Sequence, residues 1–185
     1  MGKVDQLAGY IAEAIHKNYP ESSSVDVLKY ALISLLNTAI TIMLVLSLAL
    51  LTGRLLPGLL AVVAFPTLRY ISGGLHLKSP NLCNVFTALF MLIAIYVPIE
   101  YWYTGFVTNV LAVVVLLLNA PSGIKRSTVD PKTYPVLKFA AVGIVSLNFL
   151  FQSNVLAVVF LFQALTTTHI FQKLVDYIES KVVRL

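Results

Sequence analysis

The uncharged run from Ala31 to Thr52 is the feature that most restricts what this chain can fold into. It is longer than the roughly 20 residues that a helix needs to cross a hydrocarbon layer of about 30 Å. The chain of 185 residues is 58% hydrophobic and only 11% charged. This composition would give a soluble fold too little polar surface. Every backbone polar group must be paired inside hydrocarbon, and long runs without alternation favour helices over a barrel. The sequence therefore predicts an all-α, polytopic integral membrane protein with a single domain, residues 1–185.

Further apolar runs predict about six transmembrane helices, with four as the main alternative. Pro57, Gly58 and Pro66 interrupt the second run, which is therefore expected to be broken or partly re-entrant. The third run is expected to end in an aromatic belt, Tyr101–Trp102–Tyr103. Within a transmembrane region covering 31–170, the expected spans are 31–52, 55–72, 85–103, 106–120, 136–151 and 155–170.

Both ends of the chain are predicted to be amphipathic rather than spanning. Residues 1–28 form an interfacial segment with apolar residues on one helical face, and residues 171–185 form a weaker amphipathic tail. A docking surface for a partner or precursor is the alternative role of the first segment. Placing both termini in the cytoplasm puts all 13 Lys and Arg residues except Arg54 inside, in agreement with the positive-inside rule. The net charge of +5 needs only anionic lipid as its partner, so nucleic-acid binding is not implied.

The segment from Arg69 to Cys83 brings an arginine, a glycine pair, a histidine and the only cysteine to one membrane edge. On a straight helix His76 would lie roughly 10 Å from Cys83 along the axis, too far for a base to reach a nucleophile. Ser79-Pro80 resolves this, because serine is a favoured N-cap and proline is favoured at the first helical position. Cys83 would then lie in the first turn, where the helix dipole favours a thiolate.

This segment carries the elements of a cysteine peptidase, which needs a thiolate, an imidazole that moves the proton, and donors for the oxyanion. Cys83 and His76 can fill the first two roles, so a catalytic dyad is predicted. One His and one Cys fall short of the three or four ligands of a zinc site, so no metal and no other cofactor is expected. Two other classes stay open, a small transporter built on proline-broken helices and a non-catalytic membrane scaffold.

The motif Arg69-x4-Gly74-x-His76-x6-Cys83, followed by Ala120-Pro121 and a basic loop, resembles the AgrB (accessory gene regulator B) family of Gram-positive bacteria. The resemblance covers nearly the whole chain, although Leu77 stands where the family often has alanine. It implies that His76 and Cys83 are the catalytic pair of a cysteine endopeptidase in the cell membrane. It also implies that both termini and the active site are cytoplasmic.

The resemblance further implies a reaction and its partners. The thiolate would cleave the C-terminal tail from a small autoinducer precursor and hold the remainder as a thioester, from which a thiolactone or lactone ring closes for quorum sensing. The precursors of this family have an amphipathic N-terminal helix and an acidic tail. Membrane lipids and a second copy of the chain, forming a homodimer by analogy, are the other expected partners. The residues expected to bind the precursor are Arg69, Gly73, Gly74, Lys78, Lys125 and Arg126.

Overall fold

The structure is a computed structural model that describes residues 2–75, 80–123 and 130–182. Every element named in these ranges is helical, so the all-α prediction is confirmed. In chain order they are α1 (Lys3–Asn18), α2 (Val25–Leu51), α3 (Leu55–Ser72), α4 (Pro80–Tyr96), a π-helical turn (Tyr101–Gly105), α5 (Phe106–Asn119), a 3-10 turn (Pro131–Thr133), α6 (Tyr134–Phe151), α7 (Asn154–Thr166) and α8 (His169–Val182).

Four segments of the described chain are long and apolar enough to cross a membrane. They are Val25–Leu51, Leu55–Ser72, Tyr101–Asn119 and Pro131–Phe151. A fifth crossing results if α7 and α8, which are bent by 79° against each other, together form one span. Helix α4 is apolar but shorter. The chain is therefore a polytopic membrane protein with four or five spanning helices, and the predicted count of six is not confirmed.

Helix α3 is continuous, so the expectation of a broken or re-entrant second span is wrong. Pro57 lies in its first turn, where a backbone N–H has no intrahelical partner to lose. Pro66 lies inside the helix and removes one backbone hydrogen bond, but Phe65 and Leu68 beside it are buried in the core. Packing of this face therefore holds the helix together through the proline.

The aromatic triplet Tyr101–Trp102–Tyr103 begins a helical segment, whereas the sequence predicted that it would end one. Helix α4 stops at Tyr96 because Pro98 lacks an N–H and moves the preceding residue out of the helical region. The Tyr101 side chain is buried, and its hydroxyl donates a hydrogen bond to the Asn148 carbonyl at 2.9 Å. Only the other two rings are exposed, as a belt requires.

Helix α7 is the centre of the bundle and packs against α3, α4, α5, α6 and the start of α8. Its contacts with α3 and α5 are more extensive than those with α6, the helix that precedes it in the chain. A helix that is apolar on all sides is suited to such a position. Its buried residues are Val155, Ala157, Val158, Val159, Phe160, Gln163, Ala164 and Thr166.

The two terminal helices pack against the bundle. Helix α1 lies on α2 with Ala8 and Ala12 fully buried, and α2 already begins at Val25, inside the segment 1–28 predicted to be interfacial. Helix α8 begins at His169, two residues before the predicted tail, and buries Val175. Both are amphipathic helices, but each has a packed face.

The contact between α2 and α3 yields a test of this packing. A Cβ atom built at Gly58 would lie 2.6 Å from the Cβ of Ala49, so Gly58→Ala must push the two helices apart. We expect a loss of about 1–3 kcal/mol in the free energy of unfolding, seen as a lower thermal midpoint in detergent. Gly143→Ala in α6 is the control, because its Cβ would meet nothing within 4 Å and the midpoint should stay equal or rise. Equal midpoints for both variants would contradict the packing of α2 on α3.

Candidate active site

Cys83 lies in the first turn of α4, which begins at Pro80 as the sequence predicts. Its side chain is partly buried. Arg69, in the last turn of α3, places its Nη2 atom 3.8 Å from Cys83 Sγ. The same Nη2 donates a hydrogen bond to the Leu75 carbonyl. One guanidinium therefore joins the end of α3, the turn that follows it and the start of α4.

A small cleft opens beside the sulfur. Its walls come from α3, α4, α7, α8 and the turn after α3, and most of the side chains that line it are apolar. The rings of Phe90 and Phe162 are stacked at 4.7 Å, and Phe171 of α8 packs at 6.0 Å from Phe90. The lining residues are Phe65, Arg69, Leu75, Cys83, Phe86, Thr87, Phe90, Thr166, Phe171 and Val175. The contribution of α8 was not predicted, because sequence periodicity does not indicate where a terminal amphipathic helix docks.

The turn after α3 is held by the loop that follows α5. The Ser122 N–H donates to the Ser72 carbonyl at 3.0 Å, and the Ser122 carbonyl accepts from the Gly74 N–H at 2.9 Å. This pairing forms a single parallel bridge between Gly73 and Ser122. Gly73 has a φ of 67°, and a Cβ there would lie 2.0 Å from the Ser122 carbonyl oxygen. Glycine is therefore required at this position by both backbone conformation and space.

Gln163 of α7 holds the same turn from the other side. Its Nε2 donates to the Gly73 carbonyl at 2.8 Å and contacts Ser72 Oγ at 3.0 Å, and the side chain is fully buried. A Cβ at Gly74 would lie 2.6 Å from Thr166 Oγ1, so the glycine pair packs directly on α7. An amide in an otherwise apolar helix was the only sequence signal for Gln163, and it did not reveal the partner.

A second group of buried polar residues lies at the other end of the bundle. Asn148 Nδ2 donates to Asn109 Oδ1 at 3.1 Å and to the Ser153 carbonyl at 2.9 Å, and Asn109 donates to the Val145 carbonyl at 3.3 Å. These bonds join α5, α6 and the turn before α7. Asn148 therefore hydrogen-bonds between helices, and this end of the bundle is a structural counterpart to the Cys83 end.

The structure brings together only part of the predicted site. Arg69 lies beside Cys83, and Gly73 and Gly74 belong to the turn whose Leu75 carbonyl accepts a hydrogen bond from Arg69. The Cβ positions of both glycines are occupied by other protein atoms, which gives the glycines a structural role. Contact of the precursor with these residues stays a prediction. No group of three or more His, Cys, Asp or Glu residues that could hold a metal ion occurs in the described ranges. The other predicted site residues, His76, Lys78, Lys125 and Arg126, lie outside the described residues.

The fold and the site define a polytopic α-helical membrane protein with a cysteine held beside an arginine at an apolar cleft. The family model described as accessory gene regulator B matches residues 4–175, so the chain belongs to the AgrB family. No curated protein and no solved structure matches the chain. Membership of this family supports a role in the processing of quorum-sensing peptides at a membrane.

The bridge at Gly73 can be tested against a glycine of the same conformation. Gly73→Ala combines an unfavourable positive φ with a clash against Ser122, whereas Gly53 has a φ of 69° but open space around its Cβ position. We expect Gly53→Ala to cost about 1–2 kcal/mol of stability from its backbone conformation alone. Gly73→Ala should lower the thermal midpoint clearly further. Equal midpoints would mean that the Gly73–Ser122 bridge does not form in the membrane protein.

Proposed function

We propose that the protein is a membrane-embedded cysteine endopeptidase in which Cys83 is the nucleophile and His76 is the general base and acid. The observation that carries the proposal is the 3.8 Å contact between Arg69 Nη2 and Cys83 Sγ at the cleft, in a chain of the AgrB family. A cysteine used only for packing gains nothing from a guanidinium, since partial burial of a charge beside an apolar group costs free energy. A cation beside the sulfur favours the thiolate, the form in which cysteine attacks a carbonyl.

The proposed reaction consumes one peptide bond. His76 takes the thiol proton while Cys83 Sγ attacks the scissile carbonyl, and the C–N bond of the tetrahedral intermediate then breaks. The leaving nitrogen receives the proton from His76, so the C-terminal tail leaves with a free amino group. The N-terminal part of the precursor stays on Cys83 as a thioester. A Cys or Ser side chain of that part then attacks the thioester carbonyl, closes a thiolactone or lactone ring and restores the Cys83 thiol.

The surroundings of Cys83 favour ring closure over hydrolysis. Phe65 and Leu75 are almost completely buried at 1% and 4% exposure, and Phe90 stacks on Phe162 beside them. Such walls keep water scarce around an acyl-enzyme, so an internal nucleophile that is already bound has the advantage. The position of α8 over the cleft supports the same view, because Val175, at 2% exposure, adds a further apolar wall.

The proposed substrate is a small precursor peptide with an amphipathic N-terminal helix and an acidic C-terminal tail. The Arg69 guanidinium lies beside Cys83 Sγ. It would therefore supply positive charge close to the scissile bond, after which the acidic tail of the precursor begins. Lys78, Lys125 and Arg126 would extend this positive charge, which attracts an acidic segment over a distance of about one Debye length. Membrane lipids and a second copy of the chain are the other proposed partners. We place the site and both termini in the cytoplasm of a Gram-positive cell.

The test is cleavage of the cognate precursor by the purified protein in lipid vesicles. Cys83→Ala removes the nucleophile and His76→Ala removes the proton carrier, so both should lower the cleavage rate by on the order of 1,000-fold or more. His169→Ala is the matched control, because this histidine begins α8 and has no part in the proposed reaction. Its rate should equal that of the unmodified protein. Cleavage that persists in Cys83→Ala would rule out the cysteine mechanism.

A further inference from the structure

Gln163 occupies a position where an amide costs more than an apolar side chain would. It is fully buried in the central helix α7, and its Oε1 atom has no hydrogen-bond partner among the described residues. An unpaired buried acceptor costs about 1–3 kcal/mol, so packing alone would favour an isosteric apolar residue such as methionine. The presence of an amide at this position is therefore explained by the hydrogen bonds that its nitrogen, Nε2, makes.

The donor atom of Gln163 is directed at the turn between α3 and α4. The Gly73 carbonyl can only accept a hydrogen bond, so the atom that faces it at 2.8 Å is the Nε2 donor. The same atom contacts Ser72 Oγ at 3.0 Å. Ser122 holds the turn through backbone pairing on another side, so Gln163 supplies the side-chain half of a two-sided clamp.

The clamped turn continues directly into the contact with the cysteine. Two residues after Gly73, the Leu75 carbonyl accepts a hydrogen bond from Arg69, and the same Nη2 atom lies 3.8 Å from Cys83 Sγ. Movement of the turn would remove the carbonyl that orients the guanidinium. Gln163 is thus linked to Cys83 Sγ through the Ser72–Leu75 turn and Arg69.

We propose that Gln163 is a positioning residue for Cys83, which fixes the Ser72–Leu75 turn so that its last carbonyl holds Arg69 against the sulfur. This inference rests on the proposed function for its meaning, because a correctly placed thiolate matters for a peptidase. Among the described residues, the hydrogen bonds of Gln163 Nε2 go to Ser72 and Gly73 and not to the sulfur or the guanidinium, so its effect is exerted through the turn.

The test uses the fact that Cys83 is the only cysteine in the chain, so any thiol reagent reports on this residue alone. The full chain in lipid nanodiscs is alkylated with iodoacetate, an anion, and with iodoacetamide, which is neutral and of similar size. The ratio of the two rates measures the positive charge beside Sγ, and the thiolate fraction cancels in this ratio. Arg69→Gln defines the ratio without the guanidinium, which we expect to be lower by about fivefold or more.

Gln163→Met keeps the size of the side chain but removes the donor, so its ratio should fall most of the way to that of Arg69→Gln. Gln163→Asn keeps the amide but falls about 1.5 Å short of the turn, so its alkylation ratio should also fall. This variant replaces Gln163→Met in the test if Gln163→Met is not recovered folded. Asn148→Leu, which removes an equally buried amide at the other end of the bundle, controls for loss of stability and should leave the ratio unchanged.

A ratio in the folded Gln163 variants that equals that of the unmodified protein would overturn the proposal. An equal fall in Asn148→Leu would overturn it as well, because the effect would then be a general loss of packing. The alkylation ratio requires no precursor, so its result stands independently of peptide cleavage. Failure of the peptidase function would instead appear as continued cleavage by Cys83→Ala.

Discussion

The turn from Ser72 to Leu75 exposes backbone polar groups inside an apolar bundle, and the architecture around Cys83 depends on how these groups are paired. Buried amides and carbonyls without partners would cost several kcal/mol each in such surroundings. Ser122 pairs with the backbone on one side, and Gln163 pairs with the Gly73 carbonyl on the other. Arg69 takes the Leu75 carbonyl. The site is therefore built by completing the hydrogen bonds of one short turn.

The central position of α7 follows from the same requirement. A helix that supplies Gln163 to the turn and Thr166 to the cleft must lie against α3, and it is apolar on its other faces because it is surrounded by helices. The opposite end of the bundle has its own polar group, Asn109 with Asn148, which ties α5 to α6. The bundle is thus closed by hydrogen bonds at both ends and by apolar packing between them. At the Cys83 end, the described residues also form a cleft that is lined by a cysteine and an arginine.

Local rules predicted the parts of the site that depend on neighbouring residues. The start of α4 at Pro80 and the first-turn position of Cys83 follow from the Ser-Pro step, and the proximity of Arg69 follows from its place at the end of α3. The partners of the turn could not be predicted in this way. Ser122 and Gln163 lie far from Gly73 in sequence, and only the packing of the bundle brings them to it.

The errors in the fold have equally physical causes. Hydropathy alone joined the apolar run of α4 to the aromatic triplet at Tyr101, although Pro98 already marked the helix end. Proline and glycine suggested a break in α3, but the packed face around Phe65 outweighs one missing hydrogen bond. The shortness of α4 and the sharp bend between α7 and α8 reduce the number of clear spans below six.

Covalent catalysis by Cys83 can be tested directly by mass spectrometry of the protein, quenched in acid during turnover of its precursor in lipid. If Cys83 is the nucleophile, the tryptic peptide that contains it should carry an acyl adduct with the mass of the N-terminal part of the precursor. This adduct should be sensitive to hydroxylamine, as a thioester is. Precursor that is cleaved while Cys83 stays unmodified at every quench time, or an adduct on another residue, would contradict covalent catalysis by Cys83.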